Sequence, residues 1–169
     1  MATQKATDEG AAFDCIIALG SNLGDKAANI AAAITHLEED GAVRVVARSR
    51  NFATDPWGKL DQDWFVNACV AVETKLSPRE LLVRCKAIER EMGRVTIERW
   101  GPRIIDLDLL IYDDTVLNEP DLILPHPHMA ERAFVLAPLM DIAPDLAFGG
   151  RSVRELYAAV DKAGIRALD

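Results

Sequence analysis

WFVNACVAVETKLSPRELLVRCKAIEREMG, from Trp64 to Gly93, carries a strand, a helix start and a helix stop in one short span. Trp64 to Glu73 is apolar on both pleat faces except at Asn67, the pattern of a strand inside a sheet. In Ser77-Pro78-Arg79-Glu80, Ser77 is an N-cap, Pro78 fits the first turn and Glu80 completes a capping box. Leu81, Cys85, Ile88 and Met92 then recur at helical spacing, and Gly93 supplies a C′ residue. Downstream, ERWGPRIIDLDLLIY (Glu98–Tyr112) ends in an apolar strand from about Ile104 to Tyr112, which closes a β-α-β unit.

The same order precedes it. Cys15 to Leu19 (CIIAL) is a buried strand ended by Gly20-Ser21-Asn22. Asp25 caps a helix with Ala27, Ile30, Ile34 and Leu37 on one face, and Gly41 ends it. Val43 to Thr54 reads as one half-exposed strand, with Val43, Val45, Ala47 and Ser49 on one face and Arg44, Arg48 and Arg50 on the other. Asp55-Pro56-Trp57-Gly58-Lys59 breaks it, and a loop follows to about Asp63. The order β-α-β-β-α-β predicts an α+β, ferredoxin-like core with an antiparallel sheet and helices on one face. Beyond it come an Asp113-Asp114 turn, Val116-Leu117 pairing back as a short strand, a helix from about Ala130 to Met140, and a last helix over Val153 to Lys162.

The length of 169 residues fits one domain, expected over 13–169 after a disordered N-terminal tail over 1–12. Half the residues are apolar and 27% are charged, ordinary for a soluble globular protein. The formal net charge of −8 argues against duplex nucleic acid or an anionic membrane as a partner. No stretch is long and apolar enough for a membrane helix, and MATQKATDEGAAFD lacks the apolar centre of a signal peptide. Cys15, Cys69 and Cys85 each sit among apolar neighbours without a CxxC pair, as small reduced hydrophobes in a cytoplasmic protein do.

Asp106 and Asp108 interrupt the apolar strand. Alternation aims them the same way, with Cα atoms roughly 6.6 Å apart, while Ile105, Leu107 and Leu109 point into the helices. Two ionised carboxylates this close repel in dry surroundings, and a bound cation removes the conflict. Magnesium favours one or two carboxylates plus phosphate oxygens and water. The bland alternative is polar residues on the wet face of a half-exposed strand. Arg94, Arg99 and Arg103 lead into this strand and suit a polyphosphate bridged by magnesium; surface pairing with Glu89, Glu91 and Glu98 explains them equally well. Asn67 must find partners in its apolar strand: a heterocycle's amide edge, with Phe65 on the same face, or a nearby loop backbone. His126 and His128 lie in a Pro-bracketed loop with no nearby Cys, which disfavours zinc. They suit a polar contact to nucleotide or phosphate, or stand as plain loop histidines. His36 reads as a solvated helix residue.

With these motifs in place, the chain resembles the 6-hydroxymethyl-7,8-dihydropterin pyrophosphokinase family of folate biosynthesis. The resemblance runs through ALGSNLGD (Ala18–Asp25), TDPWG (Thr54–Gly58), FVNACVAVET (Phe65–Thr74), IEREMGR (Ile88–Arg94), RWGPRIIDLDLL (Arg99–Leu110), LPHPHM (Leu124–Met129), ERAFVLAPL (Glu131–Leu139) and IAPDL (Ile142–Leu146). It implies a ferredoxin-like fold and transfer of pyrophosphate from ATP to a reduced pterin with release of AMP. It implies two Mg²⁺ ions at Asp106 and Asp108. ATP contacts fall to Glu89, Arg94, Arg99, Trp100, Pro102, Arg103, His126 and Arg132. The pterin falls between Phe65 and Phe134, with Asn67 and the backbone near Thr54 and Trp57. Arg94 and Arg103 join the two aspartates as catalytic groups. One departure from many members is Val95-Thr96-Ile97, where further basic residues are common. A cytoplasmic monomer is expected, with a weak homodimer as its alternative. The rivals are a ferredoxin-like nucleotide- or RNA-binding module without catalysis, an acylphosphatase-like hydrolase and a metal-stabilised structural domain.

Overall fold

Ser77 starts its helix as the sequence demands. Its Oγ accepts the Glu80 N–H at 3.1 Å, and the Glu80 carboxylate accepts the Ser77 N–H at 2.9 Å. The computed structural model describes residues 13–55, 63–93 and 104–168; the expected tail over 1–12 lies outside them. In chain order the elements are β1 (Cys15–Ser21), α1 (Lys26–Glu38), β2 (Val43–Arg48), β3 (Phe52–Thr54), β4 (Phe65–Thr74), α2 (Pro78–Glu91) and β5 (Asp106–Tyr112). Then come β6 (Leu117–Glu119), β7 (Leu122–Leu124), α3 (Ala133–Ile142), β8 (Ala147–Phe148), β9 (Arg151–Ser152), α4 (Val153–Ala159) and β10 (Ile165–Ala167). A six-stranded antiparallel sheet runs β10-β3-β4-β1-β5, with β2 also paired to β4. This is the expected ferredoxin-like core.

The sheet is covered on both faces. On one, Ile17, Leu19, Val66, Val70, Leu107 and Leu109 meet Ile30 and Leu37 of α1 and Leu81, Cys85 and Ile88 of α2. On the other, Ile16, Cys69, Ala71, Leu110 and Ile111 meet Val135, Leu136 and Leu139 of α3 and Val153 and Leu156 of α4. Helices on one face thus describe the β-α-β-β-α-β core but not its C-terminal addition. A bulge near Ile16 and Ile17 lets neighbouring Leu110 and Ile111 both face α3. All three cysteines are buried and free.

Several local expectations need correction. Val43–Thr54 is two strands, because a bulge between Val45 and Ala47 turns Ala47 to the α3 face and the ladder breaks before Phe52. The sequence pattern missed this because a bulge shifts the period-two alternation. β6 pairs with β7, not back onto β5. The helix expected from Ala130 is a 3₁₀ turn over Met129–Glu131 and then α3. The last helix stops at Ala159, and β10 follows it. The first helix ends at Glu38, ahead of Gly41, whose φ of 78° belongs to the next turn. His36 is half-buried, with Nδ1 3.0 Å from Glu39 and 3.6 Å from Glu91.

The outer edge of β5 does not stay open. Buried Glu89 of α2 accepts the Leu107 N–H at 2.8 Å, and the His126 N–H donates to the Leu110 carbonyl at 2.8 Å. These bonds hold α2 and the Pro125–His128 loop against the strand that carries Asp106 and Asp108.

Candidate active site

Register builds a trough across three strands. Gly20 of β1 stands between Asn67 of β4 and Asp106 of β5, and Ala18 stands between Cys69 and Asp108. The middle strand is small at both positions, so the flanking rows remain accessible above it. A Cβ at Gly20 would lie 2.8 Å from Asn67 Oδ1. Where the small residues end, Ile16 takes over and α3 closes down on the sheet. The wall comes from the start of α3 and the residue before it: Arg132, Phe134, Val135 and Pro138.

One end of this pocket is an aromatic and amide slot. Phe65, Asn67, Thr54 and Phe134 line it. The Asn67 Nδ2 donates to Thr54 Oγ1 at 2.7 Å, and Thr54 is buried. That bond fixes the amide's orientation and leaves Oδ1 and the second N–H to face a ligand. The other end is charged. Asp106, Asp108, His126 and Arg132 line it. Burial, and then the neighbouring Asp106, push the Asp108 carboxyl up to about 7. Burial, then Arg132 and His128, lower His126 to about 4, so it is a neutral hydrogen-bonding group at neutral pH. Burial also lowers Arg132, which keeps its charge as guanidinium does in proteins. The Arg132 guanidinium lies 5.7 Å from the Phe134 ring centre, bringing the charged end against the aromatic slot.

Of the residues predicted from sequence, Thr54, Phe65, Asn67, Asp106, Asp108, His126, Arg132 and Phe134 therefore share one pocket. Glu89 does not line it, and its carboxylate serves the Leu107 N–H and approaches Lys86 Nζ at 3.5 Å. Trp57, Arg94, Arg99, Trp100, Pro102 and Arg103 lie outside the described residues. His128 is exposed and pairs with Glu131 at 2.9 Å. Sequence reasoning missed Ala18, Gly20 and Asp55 as pocket residues. The Ala-Leu-Gly alternation in β1 was visible, but its meaning depends on which strands flank it.

The carboxylate pair fits a hard divalent cation. Asp108 is a buried acid beside a second acid, a conflict such an ion relieves. Among the described residues no group of three or more His, Cys, Asp or Glu could hold a metal. Two carboxylates make a partial oxygen shell, and magnesium favours such a shell with phosphate oxygens and water as its other ligands.

The family of 7,8-dihydro-6-hydroxymethylpterin-pyrophosphokinase (HPPK) matches residues 16–144. The chain belongs to this family. A family relative from Methylorubrum extorquens, a 2-amino-4-hydroxy-6-hydroxymethyldihydropteridine pyrophosphokinase, is 52% identical over 153 residues, covering 90% of this chain and 97% of its own. A Pseudomonas aeruginosa relative of the same name is 47% identical over 153 residues, covering 90% and 94%. Among solved structures, a Plasmodium falciparum HPPK-DHPS triple mutant with pteroate superposes with a TM-score of 0.70 at 16% identity, covering 96% of this chain and 48% of that one. The wild-type P. falciparum HPPK-DHPS with pteroate gives 0.69 at 18% identity, covering 86% and 44%. This structural likeness shows the HPPK fold, and the chain spans less than half the length of those solved chains.

Gly20 gives a direct check on the trough. The variant Gly20→Ala places a methyl group 2.8 Å from Asn67 Oδ1 and forces the amide off its orientation. Such a displacement costs about 1 kcal/mol, roughly a fivefold to tenfold loss in ligand affinity. Fluorescence titration should show that loss for a pterin, with nucleotide affinity unchanged.

Proposed function

We propose that this chain transfers pyrophosphate from ATP to the hydroxymethyl group of 6-hydroxymethyl-7,8-dihydropterin in folate biosynthesis, releasing AMP. The observation that carries this reading is the shared pocket. An amide and aromatic slot opens directly onto a carboxylate pair faced by an arginine and a neutral imidazole. A flat heterocycle with an amide edge suits the first part, and a metal-bound polyphosphate suits the second.

In this reading Asn67, held by Thr54, orients the pterin through its amide edge. Phe65 and Phe134 hold its faces. The slot then aims the hydroxymethyl oxygen at the charged end, where in-line attack at the β-phosphorus displaces AMP. Positioning and charge neutralisation account for most of the acceleration in such transfers. Asp106 and Asp108 would hold two Mg²⁺ ions, which supply charge neutralisation on the triphosphate when bound. Arg132 meets phosphate charge, and neutral His126 adds a hydrogen bond. We assign Arg94 and Arg103 to the charge that develops during transfer, with Arg99, Trp100 and Pro102 around the nucleotide and Trp57 beside the pterin. Glu89 acts through β5: its bond to the Leu107 N–H fixes the strand between the two aspartates. The reading places the chain in the cytoplasm as a monomer with one domain from residue 13 onward. No helix among the described residues is long and apolar enough to cross a membrane.

An RNA-binding module would need an open, basic sheet face with exposed aromatics. Here α3 and α4 cover much of the face that carries the aspartates, and the net charge is −8. Incubation of protein, ATP, Mg²⁺ and the reduced hydroxymethylpterin, followed by nucleotide separation, tests the proposal. AMP formed in step with pterin pyrophosphate supports it. ADP or free phosphate as the main product would contradict it.

A further inference from the structure

The family match ends at residue 144, yet a strand far beyond it touches the pocket rim. β10 pairs antiparallel with β3, setting Ile165 opposite Thr54, Arg166 opposite Ala53 and Ala167 opposite Phe52. Thr54 holds the Asn67 amide, and Thr54 and Asp55 both line the pocket. The Asp55 N–H donates to the Gly164 carbonyl at 3.1 Å, and the Leu168 N–H donates to the Asn51 carbonyl at 2.8 Å. β3 is only three residues long, and its other neighbour is β4 over Phe52, Ala53 and Thr54. A strand so short takes much of its definition from its second partner.

β10 adds little to the apolar core. Arg166 and Ala167 are exposed, and Ile165 is half-buried. What it adds is hydrogen bonding and a close fit at Gly164. That residue has φ of 79°, and a Cβ there would collide with the Asp55 carboxylate, 2.8 Å from its Cγ. The same segment reaches Trp64, just before β4: Arg166 Cζ lies 5.9 Å from the Trp64 ring centre, with Lys26 Nζ at 3.9 Å from that centre. Lys26 also pairs with Asp63 at 3.0 Å, and Asn22 Nδ2 donates to the Asp63 carbonyl at 3.3 Å. Asp55, which lines the pocket, is thus tied down by the segment that leads into β10, and Asp63 by Lys26 and Asn22.

We infer that Gly164 and β10 are positioning elements for the pterin slot: they hold Thr54 and Asp55, and through Thr54 the Asn67 amide, in the orientation that selects the pterin. This inference rests on the pyrophosphokinase reading above and extends it to a segment outside the matched family region. The specificity of the slot then depends on a strand that makes no contact with the reacting groups.

The test uses the full chain with Gly164→Val and, separately, Leu168→Pro. The first drives a branched side chain into Asp55 at a positive φ. The second removes the Leu168 N–H that ties the far end of the strand to Asn51. Steady-state kinetics should show KM for the hydroxymethylpterin raised about tenfold or more for Gly164→Val and several-fold for Leu168→Pro, with kcat within threefold of the parent. Titration with α,β-methylene-ATP and Mg²⁺ should give an unchanged Kd, which also shows that the variants are folded. Amide hydrogen exchange should quicken at Asp55 and leave Leu107 protected. If the Asp55 amide is released but KM for the pterin stays at the parental value in both variants, the inference is wrong. Loss of nucleotide binding in step with pterin binding in both variants would also overturn it, since β10 would then support the whole fold. A parent protein that makes no AMP from ATP and the pterin instead defeats the functional reading, an outcome visible before any variant is made.

Discussion

Asp108→Asn protein should fold, melt higher than the parent in magnesium-free buffer at pH 7.5, and make AMP at no more than about a thousandth of the parental rate. The activity loss follows from the proposed role of Asp108 as one of two carboxylates for the cation, whose removal would take away several kcal/mol of charge neutralisation in the transition state. The stability gain has the opposite sign for a physical reason. Burial and Asp106 raise Asp108 to about 7 in the folded chain, far above its ordinary 3.8. Between those values the folded state keeps a proton that the unfolded chain gives up. Stability without metal therefore falls as pH rises through that window and is level above it. Asparagine carries no charge to desolvate, so the variant should lose this slope. It should gain on the order of 2 kcal/mol above pH 7, about 5 °C in Tm. Calorimetry in EDTA from pH 4.5 to 8 reads the slope, and nucleotide separation reads the activity. A variant that is both less stable and as active as the parent would show that Asp108 is a structural group.

The second large effect is at Asn67. Asn67→Ala should raise the Kd for the hydroxymethylpterin about a hundredfold or more and change that for α,β-methylene-ATP less than twofold. An amide in a pocket both donates and accepts. Its removal leaves the pterin's polar edge unpaired in a desolvated slot, the situation in which discrimination by hydrogen bonding is greatest. The variant also strips Thr54 of its 2.7 Å partner, leaving a buried hydroxyl at a cost of about 1–3 kcal/mol in stability. Denaturant unfolding separates that loss from the binding loss. Isothermal titration showing equal weakening for pterin and nucleotide would place Asn67 outside the pterin slot.

Most of the core was legible because its signals are local. The Ser77–Glu80 capping box, the helical stripe of Leu81, Cys85 and Ile88, and the apolar run of β5 each need only a few neighbouring residues to be read. The carboxylate pair was legible for a related reason: an Asp-x-Asp inside an apolar strand conflicts with burial, and the conflict points to function. The failures share a different cause. The bulge between Val45 and Ala47 and the return of β10 onto β3 are decided by partners distant in sequence. Gly20 shows the same limit at the site. Its value lies in standing between Asn67 and Asp106, and only the register of three strands reveals that. Glu89 shows a bond no local pattern signals: it is buried, and its carboxylate accepts the Leu107 N–H of β5.

Diffraction from crystals grown with α,β-methylene-ATP, the hydroxymethylpterin and Mn²⁺ in place of Mg²⁺ tests the central claim most directly. Anomalous peaks for Mn²⁺ bound by both Asp106 and Asp108, with the pterin amide edge on Asn67, are the predicted result. Nucleotide and pterin bound with both aspartates free of metal would contradict the account.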